Sequence, residues 1–119
     1  EGTVPAKHVT IPINLTDTAV GLRVLLSANR PPDTGFRLYW RTCPKDQSIN
    51  NFAWTPAFTQ NAPPADANKN VFREYSYLIG GQEGHIDPFD KFQLKITFAS
   101  KNSAKVPVIK ALRCIALAD

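Results

Sequence analysis

The sequence predicts an all-β protein, a single antiparallel β-sandwich with a jelly-roll-like topology. Apolar and polar residues alternate in several short segments, and this period of two is typical of strands with one buried face. Loops that carry Pro and Gly separate the segments, and no segment shows the sustained period of a helix. The 119 residues fit one domain, since domains typically contain roughly 100–150 residues. We expect one sandwich over residues 1–119, with residues 1–6 as a flexible N-terminal arm.

The clearest strand pattern lies near the C-terminus, in FDKFQLKITFAS (89–100). One face carries Phe92, Leu94, Ile96 and Phe98, and the other carries Gln93, Lys95 and Thr97. A polar turn, Lys101-Asn102-Ser103, leads into a second apolar run, VPVIKALRCIALA (106–118). Both faces of this last run are partly apolar, which predicts a central strand or a strand beneath a subunit contact.

Two further strands are predicted in the N-terminal third of the chain. The first spans His8–Leu15 and contains Pro12, which has no backbone donor and therefore predicts an edge strand or a neighbouring bulge. A turn is predicted at Thr16-Asp17-Thr18. The second strand spans Ala19–Asn29 and leaves Leu25 on the outward face, to cover a loop or meet a partner. Its inward residues are Val20, Leu22, Val24 and Leu26.

The turn Arg30–Gly35, with two prolines, ends the second strand. A third strand over Phe36–Thr42 turns Phe36, Leu38 and Trp40 to one face and Arg37, Tyr39 and Arg41 to the other. The least regular region, residues 43–70, predicts a short strand around Phe52–Thr55 and an exposed loop over Gln60–Asn70. Strand character returns over Val71–Ile79 and ends at Gly80-Gly81.

The charge balance predicts a solvated surface. The formal net charge is +4, but 10 acidic residues are mixed among the 14 basic ones, and no block of five or six like charges occurs. Nucleic acid is therefore an unlikely partner. No apolar run approaches the roughly 20 residues that a membrane-spanning helix needs, so no membrane contact is predicted.

The two cysteines, Cys43 and Cys114, are too far apart in sequence for a C-x-x-C motif. Cys114 lies inside an apolar strand, where a lone cysteine usually acts as a small hydrophobic residue. A disulfide between the two would close a long loop. The sequence leaves free thiols and a disulfide as alternatives.

Few residues suggest a metal site. The only histidines are His8 and His85, and Glu83, Asp87 and Asp90 lie near the second of them. Zinc sites normally use three or four His, Cys or carboxylate ligands, and calcium uses six to eight oxygens. We interpret residues 82–87 as a polar loop and predict no metal and no cofactor.

No motif for catalysis is visible. The chain lacks the G-x-S-x-G elbow, a papain-like cysteine context and a phosphate-binding glycine loop. A hydrolase would need a convincing carboxylate pair, for example Glu74 with Asp87, in one cleft. We predict no catalytic residue and no enzymatic activity.

Aromatic and basic residues are the candidates for binding. Arg37 and Arg41 flank Tyr39 on the outward face of one strand, and Arg and Tyr are favoured at interface hot spots. Exposed rings could also stack on sugars, whereas buried rings would fill the core. The predicted interaction surface, for a protein or glycan partner, comprises Arg37, Tyr39, Arg41, Trp54, Tyr75 and Tyr77.

Three segments together resemble a known family. They are GLRVLLSANRPPDTGFRLYWRT (21–42), VFREYSY (71–77) and DKFQLKITFASKNSAKVPVIKALRCIALA (90–118). In this order they are similar to a domain of virion structural proteins from contractile-tailed phages, especially marine cyanophages. The most specific part is SKNSAKVPVIK (100–110). Asp33 departs from the Gly that the family often has, and the loop GGQEGHID (80–87) has no counterpart.

The resemblance implies a β-sandwich that serves as a building or attachment module of the phage tail or baseplate. It supplies no catalytic residues. Its partners would be other virion proteins, and the chain would form a homo-oligomer. The alternative function is a carbohydrate-binding module that recognises the host surface.

Overall fold

The computed structural model describes residues 7–81, 86–101 and 105–118, which form two antiparallel sheets packed face to face. The all-β sandwich predicted from the sequence is confirmed, whereas the predicted arm, residues 1–6, lies outside the described residues. A short 3-10 helix, Ile49–Asn51, lies between the fourth and fifth strands. The strands are β1 (Lys7–Val9), β2 (Ile13–Ala19), β3 (Gly21–Asn29), β4 (Thr34–Cys43), β5 (Thr55–Ala57), β6 (Arg73–Gly80), β7 (Phe89–Ser100) and β8 (Val108–Leu117).

The larger sheet has the order β1–β7–β4–β5, and β2 also pairs with β7 beside β1. Pro12 lies between β1 and β2, and the register shifts between Asn14 and Ala19. The predicted edge position is confirmed, but the single strand predicted over His8–Leu15 is wrong, because residues 10–12 separate β1 from β2. The turn predicted at Thr16-Asp17-Thr18 is wrong, because these residues lie within β2, in the stretch where its register with β7 shifts. The Thr18 hydroxyl donates a 2.7 Å hydrogen bond to Asp90 Oδ1, which ties this segment to β7.

The smaller sheet has the order β6–β3–β8. The last strand is therefore an edge strand of the described residues, so the central-strand alternative does not hold, and the alternative of a subunit contact stays a prediction. Leu112 and Cys114 face the core beside β3, whereas Ile115 points outward and stays exposed.

Two long-range pairs connect distant parts of the chain. β3 pairs with β8, and β4 pairs with β7 from Thr34↔Ser100 to Cys43↔Lys91. The second pair is nested inside the first in sequence, an arrangement that jelly rolls share. β3 also pairs with β6 over eight residues, from Gly21↔Gly80 to Ala28↔Arg73.

Glycine is required where β3 begins beside the end of β6. Gly80 and Gly81 have φ angles of 69° and 71°, in the left-handed region that favours glycine. A side-chain carbon on Gly21 would lie 2.8 Å from both the Ile79 carbonyl oxygen and the Gly81 nitrogen. The two backbones therefore approach too closely for any larger residue.

The core lies between the two sheets and follows the predicted alternation. Every second residue of β3 from Leu22 to Ala28 is buried, and so are Leu38 of β4 and the inward residues of β7. Gln93 is an exception, since it lies on the outward face of β7 and is nevertheless buried. Its amide nitrogen donates a 2.8 Å hydrogen bond to the Thr10 carbonyl oxygen, and Arg41 covers its other side.

The two cysteines are free thiols, so the disulfide alternative does not hold. Cys43 ends β4 in the larger sheet, whereas Cys114 lies in β8 of the smaller sheet. Burial raises the pKa of the Cys114 thiol above its ordinary value.

The irregular region after β4 holds β5, which begins at Thr55, three residues after the predicted start at Phe52. The chain then turns from the larger sheet to the smaller one. Thr59 forms a β-bridge with Tyr77, and the Gln60 N–H donates a 2.7 Å hydrogen bond to the Ser76 carbonyl oxygen. These contacts connect the β5 and β6 sides of the sandwich.

Arg30 and Asn29 hold the loop between β5 and β6 against the smaller sheet. Arg30 donates hydrogen bonds to the Tyr75 hydroxyl and to the Pro63 carbonyl oxygen, both at 3.3 Å, and to the Thr34 carbonyl oxygen at 3.2 Å. Asn29 is buried and donates to the carbonyl oxygens of Asn68 and Val71.

Within residues 7–81, 86–101 and 105–118, no helix has the length and hydrophobicity needed to cross a bilayer.

Candidate interaction surface

The outer face of the larger sheet brings together predicted site residues from β4. Residues that oppose each other in an antiparallel pair project from the same face of the sheet. The register pairs Arg37 with Thr97, Tyr39 with Lys95, and Arg41 with Gln93. The outward side chains of β4 therefore lie beside the outward side chains of β7.

Trp54 joins these residues from the segment before β5. The Arg41 guanidinium carbon lies 4.2 Å from the centre of the Trp54 ring, and Lys95 Nζ lies 4.7 Å from it. Lys95 Nζ also lies 4.8 Å from the centre of the Tyr39 ring. These distances allow cation–π attraction, which holds both cations on the aromatic rings. We call Tyr39, Arg41, Trp54 and Lys95 the cation–aromatic cluster.

Hydrogen bonds fix the guanidinium of Arg41 in this cluster. Its Nε and Nη2 donate to Gln93 Oε1 at 2.9 and 2.7 Å. Nη1 donates to the Phe52 carbonyl oxygen at 3.2 Å, and Nη2 also donates to Asn50 Oδ1 at 3.1 Å. Because all three nitrogens have partners, the position of the guanidinium beneath Trp54 is determined before any partner binds.

Arg37 lies one step along the same face and is exposed. Phe58, which follows β5, is 79% exposed and lines a shallow depression of about 260 Å³ together with Arg37 and Pro56. The outer face therefore continues from the cation–aromatic cluster to an exposed cation and an exposed ring.

Tyr75 and Tyr77 do not belong to this surface, and their assignment to it from the sequence is wrong. They face the core from β6 and are 5% and 2% exposed. The Tyr75 ring packs edge-on against Phe36, with ring centres 4.7 Å apart. Burial, and to a smaller extent the neighbouring Tyr75, raises the pKa of the Tyr77 hydroxyl.

The sequence interpretation missed Lys95. It was recognised as an outward residue of β7, but only the register between β4 and β7 places it against Tyr39. The signal that could have found it is the outward Lys in FDKFQLKITFAS, combined with the pairing of this segment with the strand that contains Tyr39.

Glu74 and Asp87 do not converge. Glu74 lies on the outer face of the smaller sheet, where it accepts a 3.0 Å hydrogen bond from Arg113 Nη2. Asp87 precedes β7 and lines a half-open cleft of about 400 Å³ with Trp40, Thr42 and Phe52. The carboxylate pair that a hydrolase would need is therefore not formed by these two residues.

The described residues contain no group of three or more His, Cys, Asp or Glu side chains that could hold a metal ion. His85 and Glu83, which the sequence interpretation considered as ligands, lie outside the described residues.

The class of protein that the structure defines is an all-β sandwich domain with a basic, aromatic outer face on its larger sheet. No protein-family model, curated protein or solved structure was found to match the chain. The similarity of three sequence segments to phage virion proteins therefore stays a prediction.

Proposed function

We propose that this chain is a non-enzymatic building or attachment module of a phage virion, located in the tail or baseplate. Its partners are other virion proteins. The resemblance of residues 21–42, 71–77 and 90–118 supports the class. The observation that carries the mode of action is the cation–aromatic cluster, which is assembled on an outer face before a partner arrives.

The physical properties of the cluster suit a protein interface. Arg, Trp and Tyr are the residue types enriched at binding hot spots. Ordering a long side chain during association costs roughly 0.5–1.5 kcal/mol, and the bonds to Gln93, Phe52 and Asn50 already order Arg41. Because the cluster contains two cations and no carboxylate, the matching surface of the partner carries acidic groups or carbonyl oxygens.

Immuno-electron microscopy tests the location. Antibodies raised against the chain should label the tail or baseplate of purified particles of the phage that encodes it. Absence of the chain from purified, intact particles would contradict the proposal.

A double substitution on the outer face tests the contact surface. The double variant Arg37→Ala, Tyr39→Ala should retain the melting temperature within a few degrees, because both side chains lie outside the core. It should lose incorporation into particles when it replaces the original chain. Lys45→Ala, an exposed cation away from the cluster, is the matched control and should leave incorporation unchanged.

A carbohydrate-binding module is the second candidate, because Trp54 and Tyr39 are half-buried neighbours on one outer face. Lys95 lies over both rings, so the favoured ligand is a glycan with carboxylate or sulfate groups. Specific binding on a glycan array that disappears in Trp54→Ala, but not in Lys45→Ala, would support this candidate. An array without binding would remove it and leave the protein-contact proposal intact.

Self-association is also a proposal, and it comes from the resemblance alone. Light scattering coupled to size-exclusion chromatography measures it directly: a strict monomer at high concentration would contradict a homo-oligomer.

A further inference from the structure

The edges of the two sheets differ in how they are protected from pairing with another chain. Proteins commonly protect sheet edges with prolines, bulges, very short strands, covering loops or charged side chains, and β8 has the last of these in Lys110 and Arg113. The β1–β2 edge is interrupted at Pro12 and shifts register. β5 has three residues and contains Pro56. Thr59, Gln60 and Asn61 cover the edge of β6.

β8 lacks a covering loop among the described residues and is not a short strand. It spans ten residues without a proline, and β3 is the one described strand that pairs with it. It has one bulge at Lys110, because Ile109 and Ala111 oppose the adjacent residues Ala28 and Ser27 of β3, and its register is regular from Ala111 to Leu117. A long edge strand in this state has backbone groups available for a further strand.

Exposed apolar side chains are concentrated along this edge. Val106, Val108 and Ile115 are each about half exposed, at 54%, 49% and 48%. On the inward face of β8, Leu112 and Cys114 are half-buried, although their partners Leu26 and Val24 on β3 are fully buried. The apolar side chains of an additional strand beside β8 would cover the inward set.

The charges beside β8 are of one sign. Lys105, Lys110 and Arg113 lie in residues 105–118, and this range contains no Asp or Glu. Arg113 contacts Glu74 across the sheet, and Lys110 Nζ lies 5.4 Å from the centre of the Phe72 ring, so both cations lie on the outer face. Glu74 and Arg113 are thus paired with each other, and Lys105 and Lys110 are the other cations of this range.

We propose that the β8 edge binds an extended segment of another protein by strand addition, and that this segment alternates apolar with acidic residues. The apolar side chains would extend the core beside Leu112 and Cys114, and the acidic ones would lie beside Lys110 and Arg113. A second copy of the chain fits less well, because antiparallel pairing of β8 with itself brings these cations near their own copies, and like charges in opposed positions destabilise a sheet.

This proposal concerns a different surface from the cation–aromatic cluster, so each can fail alone. The probe is a capped ten-residue peptide of alternating Val and Glu. Alternate backbone nitrogens are methylated, so that only one edge of the peptide can pair. One control peptide has Lys in place of Glu, and another is methylated at every nitrogen.

Nuclear magnetic resonance with hydrogen exchange locates the binding. The Val/Glu peptide should shift the amide signals of Val108–Leu117 and slow the exchange of those amides in this strand that do not pair with β3. Neither control peptide should do so. Equal binding of the Lys peptide would overturn the charge argument, and shifts located elsewhere would overturn the site.

Charge-reversal variants measure the electrostatic part. The double variant Lys110→Glu, Arg113→Glu should weaken peptide binding by about tenfold, since two favourable cross-strand pairs become unfavourable. Lys45→Glu alters an exposed cation away from β8 and should leave the affinity unchanged. An unchanged affinity in the double variant, with unaltered folding by circular dichroism, would overturn the proposal.

The peptide-free chain provides the last test. If the β8 amides that do not pair with β3 are already slow to exchange in a monomer, then the chain itself covers this edge and the proposal is wrong. A dimer whose interface maps to β8 would instead identify a second copy as the occupant, which also overturns it.

Discussion

The two edges of the smaller sheet differ in whether their unpaired backbone groups find hydrogen-bond partners. β6 and β8 both pair with β3, and each leaves one side without a strand partner in the described sheet. On the β6 side, a loop supplies the missing hydrogen bonds: Asn61 Oδ1 accepts from the Ser76 N–H at 3.1 Å, and Asn61 Nδ2 donates to the Glu74 carbonyl oxygen at 2.8 Å. No described residue does this for β8. At these two edges, the difference in protection comes from the loop beside β6.

The same asymmetry appears in the core. The inward residues of β6, which include Tyr75 and Ile79, are at least 95% buried. The inward residues of β8, such as Ile109 and Leu112, are only half-buried. The sandwich is therefore well packed on its β6 side and less completely covered on its β8 side.

Matched isoleucine substitutions should show the largest difference between the two edges. Ile79→Ala removes a buried side chain from β6 and should cost about 2–5 kcal/mol in the free energy of unfolding. Ile109→Ala on β8 should cost less than half of that amount, because its side chain is already partly solvated. Urea denaturation measures both, and equal losses would contradict the packing difference.

Removing the loop's hydrogen bonds should have the next largest effect. Asn61→Ala loses both bonds to β6 and should destabilise the fold by roughly 1–2 kcal/mol. The Ser76 amide should then exchange with solvent faster. Asn61→Asp keeps the oxygen that accepts from Ser76 and should lose less stability; a larger loss than in the Ala variant would refute this account of the edge.

The ion pair on the outer face should have a smaller effect. Arg113 and Glu74 are 65% and 56% exposed in their side chains, so the 3.0 Å contact between them is strongly screened by solvent. Glu74→Gln should change the free energy of unfolding by less than about 1 kcal/mol, and the difference should shrink as salt is added. A larger effect that is insensitive to salt would indicate a structural role for Glu74 beyond this pair.

The smallest effect concerns the loop that covers β6. Arg73 Nε donates a 2.7 Å hydrogen bond to Asp66 Oδ2, and this contact lowers the pKa of the Asp66 carboxyl. The stabilising contribution is therefore fully present above the ordinary carboxyl pKa and is lost as the pH falls through the lowered folded-state pKa. A carbon-detected titration should place the Asp66 pKa nearer its ordinary value in Arg73→Gln, and an unchanged pKa would contradict the assignment.

The sequence predicts the strands that have one apolar face, and it does so for a local reason. In β3 and β7 the period of two is long enough to identify both the strand and its buried side. Thr16, Asp17 and Thr18 favour turns locally, yet they lie within β2, in the stretch from Asn14 to Ala19 that spans only Lys91 to Phe89 on β7. The local preference is therefore accommodated by an irregularity inside the strand and not by an end of the strand.

The interaction surface depends on information that one segment does not contain. Alternation places Tyr75 and Tyr77 on one face of β6 and their sequence neighbours on the other, but it does not tell which of these faces meets the core. Likewise, the contact of Lys95 with Tyr39 exists because residues 56 positions apart are opposed in the register of β4 and β7. Local patterns give the faces of strands, and only the assembled sheets decide which faces meet.

Arg30 has a consequence for the order in which the chain folds. Its partners Pro63 and Tyr75 lie 33 and 45 residues further along the sequence. Closing such distant contacts reduces the entropy of the chain before much interaction energy is gained, which slows their formation. We therefore expect the covering of β6 to be a late step of folding. Until then, a newly synthesised chain has two sheet edges, β6 and β8, that can pair with another chain, and refolding should be most efficient in dilute solution.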